Sequence, residues 1–236
     1  MALTQTICRR GDSTETWKST SATTGFRERY RSNEIPVWYS GRVHFIVTSM
    51  LPIAGIIACA MMVENVTLLE ALTVPITFVY ANFTEYIGHK GPMHHRWRYL
   101  SSIYRHTTVH HAFYTHSDFG FDGDRDFHAL LLPPSILLFF FGGFAIPIGV
   151  VLFFIFSANV AYLFVATALA YFLCYELLHF CYHVREDSPL LRLPFMRKLR
   201  RHHLEHHNPS LMQHHNFNIT FPIFDWVFGT TVNRDR

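Results

Sequence analysis

The chain has 236 residues, half of them apolar, with 23 Phe, 17 His and a formal net charge of +3. This length suits one domain with a substantial interior and is too short for two comfortable ones. The charge is scattered among aromatics and histidines and lacks the basic face that nucleic-acid binding requires, so no nucleic-acid partner is expected.

Residues 1–40 are rich in Ser, Thr and Arg without a continuous apolar core. They read as a flexible cytosolic tail and not as a cleaved secretory signal. A membrane-length apolar run follows at about 43–62, near the roughly 20 residues that a helix needs to cross hydrocarbon. A second run at about 66–83 is diluted by Glu70 and Pro75, and the link 63–65 between the two fits a hairpin. The later apolar stretch, 130–181, is about twice one crossing. It divides at Ser157-Ala158-Asn159 into spans at about 133–156 and 160–181. Pro133 and Pro134 suit a helix start, and Gly142, Gly143 and Pro147 predict a kink in the third span.

All 20 Lys and Arg fall in residues 1–42, 90–125 and 185–236, and none lies in either hairpin. That pattern is expected when two hairpins dip into a membrane from its cytosolic face. It weighs against the rival reading of a soluble protein with fully buried core helices. The predicted domain is therefore 41–231, with 232–236 as a short tail. The four cysteines, Cys8, Cys59, Cys174 and Cys181, show no C-x-x-C pairing and read as packing residues.

Apart from His44, every histidine lies between His89 and His215. Four groups stand out: His89 with His94 and His95; His106 with His110 and His111; His179 with His183; and His202-His203 with His206-His207. On helices, His106 and His110 share one face, as do His179 and His183 at the end of the fourth span. The two-hairpin topology brings all four groups to one membrane face. Neutral imidazole is the commonest metal ligand, and these groups offer more nitrogens than one ion can use, so two metal ions are expected. Imidazole suits iron, zinc and copper alike; a lipid-facing cavity with few hydrolysable bonds favours a redox metal, hence iron. His44, His116 and His128 read as ordinary hydrogen-bonded side chains.

At these residues the sequence resembles the fatty acid hydroxylase and sterol desaturase superfamily of membrane non-heme di-iron enzymes. The resemblance spans about 40–231. It rests on H-x4-H at His89 and His94, H-x3-HH at His106, His110 and His111, E-x2-H-x3-H at Glu176, His179 and His183, and H-x2-HH at His203, His206 and His207. The closing stretch from Asn216 through Asp225 to Thr230 is similar to the C-terminal signature of that family. The second cluster departs from the fatty acid 2-hydroxylases, which have two residues before the histidine pair where this chain has three.

The resemblance implies an all-α integral membrane protein, with four transmembrane helices in two hairpins and a cytosolic histidine-rich helical cap holding a dimetal centre. It implies two iron ions, a site that zinc can fill in a purified or crystallised protein. The implied ligands are His89, His94, His106, His110, His111, His179, His183, His203, His206 and His207. The expected reaction is O2-dependent hydroxylation of a lipid, a fatty acyl chain before a sterol or carotenoid, with desaturation as the alternative outcome. The chain has no G-x-G-x-x-G loop and no His-Pro-Gly-Gly heme motif. Electrons would therefore come from a separate carrier of the cytochrome b5 or ferredoxin type with its reductase. The expected location is multi-pass, with the site on the cytosolic face of a bacterial inner membrane or the endoplasmic reticulum. Glu85 and Glu176 are candidates for hydrogen bonds to imidazole N–H groups, and Asp225 reads as fixing the C-terminal stretch. Two rivals of other classes are a zinc protease, because His202-His203-Leu204-Glu205-His206 fits H-x-x-E-H, and a metal transporter.

Overall fold

The structure is a computed structural model and describes residues 21–232. Cys8, residues 1–20 of the expected tail and residues 233–236 lie outside them. The rest of the expected tail is not featureless, because it contains helix α1, Ser21–Asn33, which packs on α5. Arg27 holds α1 in place: it is 3% exposed, its Nε donates to Phe113 O at 2.8 Å, and its Nη2 donates to Asp118 O at 2.8 Å. A buried guanidinium is tolerated only when its donors are met in this way.

Helix α2, Gly41–Met61, is capped by Ser40, whose Oγ accepts from Val43 N. The expected second span is broken. Thr67 and Glu70 form a reciprocal capping box around the short α3, Leu68–Ala71, and the longer helix α4 occupies Thr73–Gly88. Its 16 residues rise only about 24 Å. Then come α5, Ser101–Phe113; α6, Phe127–Leu130; α7, Pro134–Phe140; and α8, Ile146–Ile155. A π-helical turn over Phe141–Ala145 joins α7 to α8 and contains Gly142 and Gly143, where the kink was expected. Helices α9, Ala158–Tyr182; α10, Met196–His206; and α11, Ile223–Val227 complete the described chain, in which there is no strand.

Among the described residues, three segments are long and apolar enough to cross a membrane: Gly41–Met61, Asp124–Ile155 and Ala158–Tyr182. Their outer faces leave residues such as Leu51, Phe154 and Ile155 more than half exposed, an arrangement suited to lipid. Helix α9 is the hub, packing on α2, α4 and α8. Two glycines permit the close approach: a Cβ on Gly55 would come within 2.7 Å of the Leu169 side chain, and one on Gly149 within 2.8 Å of Val165.

The two hairpin tips are tied to each other. Ser157 Oγ donates to Glu70 Oε1 at 2.6 Å, and Asn159 Nδ2 donates to Glu64 O at 2.7 Å. Both tips thus lie at the N-terminal end of α9. The C-terminal end of that helix, about 37 Å away along 25 residues, carries His179.

Candidate metal centre

Four stretches of backbone deliver histidines to that end. A π-helical turn, His89–Met93, continues α4 and precedes His94; α5 carries His106, His110 and His111; α9 supplies His179 and ends at His183; α10 supplies His203 and His206 and ends at His207. Eight of the ten expected ligands fall into two groups of four, His89, His94, His111 and His206, and His110, His183, His203 and His207. In each group the potential ligand atoms lie within 4.8 Å of one another. His179 borders the second group, its Nε2 standing 3.2 Å from His110 Nε2. His106 belongs to neither group; it lines a small internal void of about 10 Å³ together with His89, His110, His111, His179 and His203.

The rings are oriented from behind. His110 Nδ1 lies 3.0 Å from Ala129 O, His183 Nδ1 2.7 Å from Phe119 O, and His206 Nδ1 2.9 Å from His215 O. His89 Nδ1 meets Phe217 O and His207 Nδ1 meets Tyr114 O in the same way. A carbonyl only accepts, so each of these Nδ1 atoms carries the ring proton and donates it. In the neutral ring Nε2 is then a bare lone pair.

The rings are held neutral by burial in the first place and by neighbouring imidazoles in the second. Together these push His89, His94, His110 and His206 down to about 3 and hold His111, His183, His203 and His207 well below the usual imidazole value. His110 Nε2 and His207 Nε2 nevertheless face each other at 3.2 Å, both bare. Two lone pairs at that distance repel unless a cation lies between them. Two nitrogens bound to one ion at about 2.1 Å stand about 3.0 Å apart at a right angle and about 3.4 Å apart at a tetrahedral one. The pairs His94–His206, His183–His203 and His203–His207 lie at 3.0, 3.2 and 3.1 Å between Nε2 atoms, inside that range. The residues therefore fit a pair of metal ions.

The two acidic candidates behave differently from each other. Glu85 does not reach an imidazole. It accepts from the backbone N–H groups of Ile219 and Thr220, from Thr220 Oγ1 and from the Tyr171 hydroxyl, and so ties α4 and α9 to the segment that ends the cluster. Glu176 is 2% exposed, and neither of its carboxylate oxygens makes a well-formed hydrogen bond among the described residues. Asp225 is fully buried and accepts from Phe217 N, Asn218 N, Thr230 Oγ1 and His202 Nε2.

His202 thus turns to Asp225 at 3.1 Å while His206 turns to His94. The two histidines of an H-x-x-E-H zinc site do not converge, which removes the structural basis of the protease reading. His95 and His214 are exposed, and His215 serves the cluster through its backbone carbonyl. The five carbonyls behind the rings are the part of the site that residue types could not disclose, because every residue has one.

No family model matches the sequence, and no curated protein matches it. A solved structure described as full-length Scs7p, in which only the hydroxylase domain is visible, is similar to this chain at a TM-score of 0.59 and 23% identity. The similarity covers 81% of this chain and 68% of that one. The chain therefore has the fold of that hydroxylase domain, with two convergent sets of histidines at one end of its longest helix.

Proposed function

We propose that the chain is a membrane oxidoreductase that holds two iron ions in the histidine cluster and uses O2 and externally supplied electrons to hydroxylate a lipid, a fatty acyl chain first of all. The observation that carries this reading is the facing of the bare His110 and His207 nitrogens in a buried cluster at the end of membrane-length helices. When bound, paired iron ions supply oxygen activation and cleavage of an unactivated C–H bond, chemistry for which side chains alone are too weak.

The chain's own part is to hold and to exclude. Five Nδ1–H···O=C bonds fix ring orientation, and depressed ring basicity keeps the nitrogens free of protons at neutral pH. Leu132, Tyr175 and Ile219, all buried, line the internal void and give it an apolar side, a setting that disfavours water. In this reading α4 completes the first hairpin, so that four segments span the membrane and the cluster lies on the cytosolic face, where the basic residues collect. A one-electron carrier of the cytochrome b5 or ferredoxin type supplies the reducing equivalents. The fold shared with a structure described as a hydroxylase domain supports the reaction class.

The test compares the intact chain with a His179→Ala, His183→Ala double variant in one host supplied with iron and a reductase, by metal analysis of the purified protein and mass spectrometry of extracted lipids. A lipid that gains one oxygen only with the intact cluster is the expected result; loss of two hydrogens would move the reaction to desaturation. An intact chain that retains no metal would sink the dimetal reading.

A further inference from the structure

A second hollow, of about 870 Å³, lies between α1, the start of α2 and α5. It falls within the range of small-molecule sites, roughly 300–1,000 Å³. His106, one of the two expected ligands outside the groups of four, lines both this hollow and the void inside the histidine cluster. The hollow thus adjoins the centre across a single imidazole.

Its rim is of two kinds. Trp38, Val43 and Val47 are 84%, 58% and 37% exposed, and the two valines occupy the first turns of the membrane-length α2, so this part opens toward lipid. Arg29 and Arg105 form the other kind. Arg105 lies 3.3 Å from Glu34 in an exposed pair, and Arg29 makes no ion pair with a described residue, which leaves the rim with a net positive charge. The floor is polar but internally satisfied. His44 Nε2 donates to Leu132 O, so its Nδ1 accepts from the Tyr39 hydroxyl at 2.9 Å, and Tyr30 and His128 pair at 2.8 Å.

A slot that is open to a bilayer on one side, whose floor polar groups are spent on one another, and that is edged by the unpaired Arg29 and the exposed Arg105–Glu34 pair on the other side matches one class of molecule, a single-chain lipid with an anionic head. We propose that this hollow is the binding site for such a lipid, with its tail leaving past Val43 and Val47 and its head held at Arg29 and Arg105. The proposal rests on the lipid-oxidising reading for its biological sense and on the hollow alone for its test.

Saturable binding of radiolabelled palmitate to the purified, metal-loaded protein is the measurement, with hexadecanol as the uncharged competitor. Palmitate should bind more tightly than hexadecanol by roughly two- to fivefold, the size expected of an exposed charge contact, and Arg29→Gln should shrink that ratio. Val109→Trp, filling the hollow from α5, and Val47→Trp, filling it from the lipid side, should each abolish binding while metal content stays unchanged. Absence of saturable binding, or binding indifferent to both tryptophans, overturns the proposal. Oxidation of lipid by the Val47→Trp protein at the intact rate overturns it too. Palmitate binding that Val47→Trp blocks, in a protein that oxidises no lipid, leaves the hollow standing and removes the catalytic reading instead.

Discussion

An imidazole whose Nδ1–H is spent on a carbonyl has one lone pair left, and its environment decides whether that lone pair is stable. His203 departs from that pattern: it is 1% exposed, its Nδ1 has no hydrogen-bond partner among the described residues, and its Nε2 lies 3.2 Å from His183 and 3.1 Å from His207. His203→Ala should cost the second group its metal and spare the first, read as a fall to roughly half the metal content of the intact chain. Equal loss from both groups would mean that the two fold as one unit. Asp225 is a residue of the other kind, holding structure from four sides. Burial works to raise its carboxyl, but the bonds from His202 and Thr230 outweigh this and keep it below the usual carboxylate range. Asp225→Ala leaves two buried N–H groups unpaired and should destabilise by about 3–5 kcal/mol, measured by thermal unfolding in detergent. That the cluster histidines were ligand candidates was legible from their spacing. The neutrality of those rings was not, because it comes from burial by segments distant in sequence.

Among the elements, α2 is fitted to its neighbours by two glycines, Gly41 and Gly55, and the two contacts differ in what would have to move. A Cβ on Gly41 would lie 1.7 Å from the carbonyl oxygen of Asp124, a backbone atom, whereas on Gly55 it would meet the end of the flexible Leu169 side chain. Gly41→Ala should therefore reach the upper part of the overpacking range, about 1–3 kcal/mol, and Gly55→Ala the lower part. The comparison is of unfolding temperatures in one detergent, and the reverse order would show that the start of α2 can slide. The spans at 43–62, 133–156 and 160–181 were legible because long apolar runs leave few alternatives. The region at 66–83 was misjudged in detail, since the Thr67–Glu70 capping box starts one short helix and the main one begins at Thr73. Helix α1 was missed altogether. Its mostly polar sequence gives no periodic signal, and its place depends on Arg27 finding the Phe113 carbonyl and on Arg31 finding Asp126.

For the whole molecule, the histidine cluster couples folding to pH. Its rings have folded values below the unfolded one, down to about 3 for His89, His94, His110 and His206. Between the folded and unfolded values the unfolded chain binds more protons, so stability rises with pH in that window. Metal-free protein should therefore be insensitive to pH above about 6.5, the unperturbed imidazole value, and lose stability progressively as pH falls toward 3. Denaturation of the metal-free chain at several pH values between 7.5 and 4.5 checks this, and a flat profile would contradict burial of neutral rings. Bound metal should add stability near neutrality and be released on acidification, because protons compete for the same nitrogens.

The sequence by itself determined which histidines are candidates for the centre and the existence of three membrane-length helical segments, since spacing along a helix and the length of an apolar run are local properties. Tertiary structure alone decided how eight histidines divide into two groups, that His106 stands apart between the centre and a larger hollow, and that Glu85 serves the C-terminal segment and not a ring. These outcomes depend on which backbone carbonyls and amides four separate chain segments present to one another, and every residue carries those groups whatever its side chain.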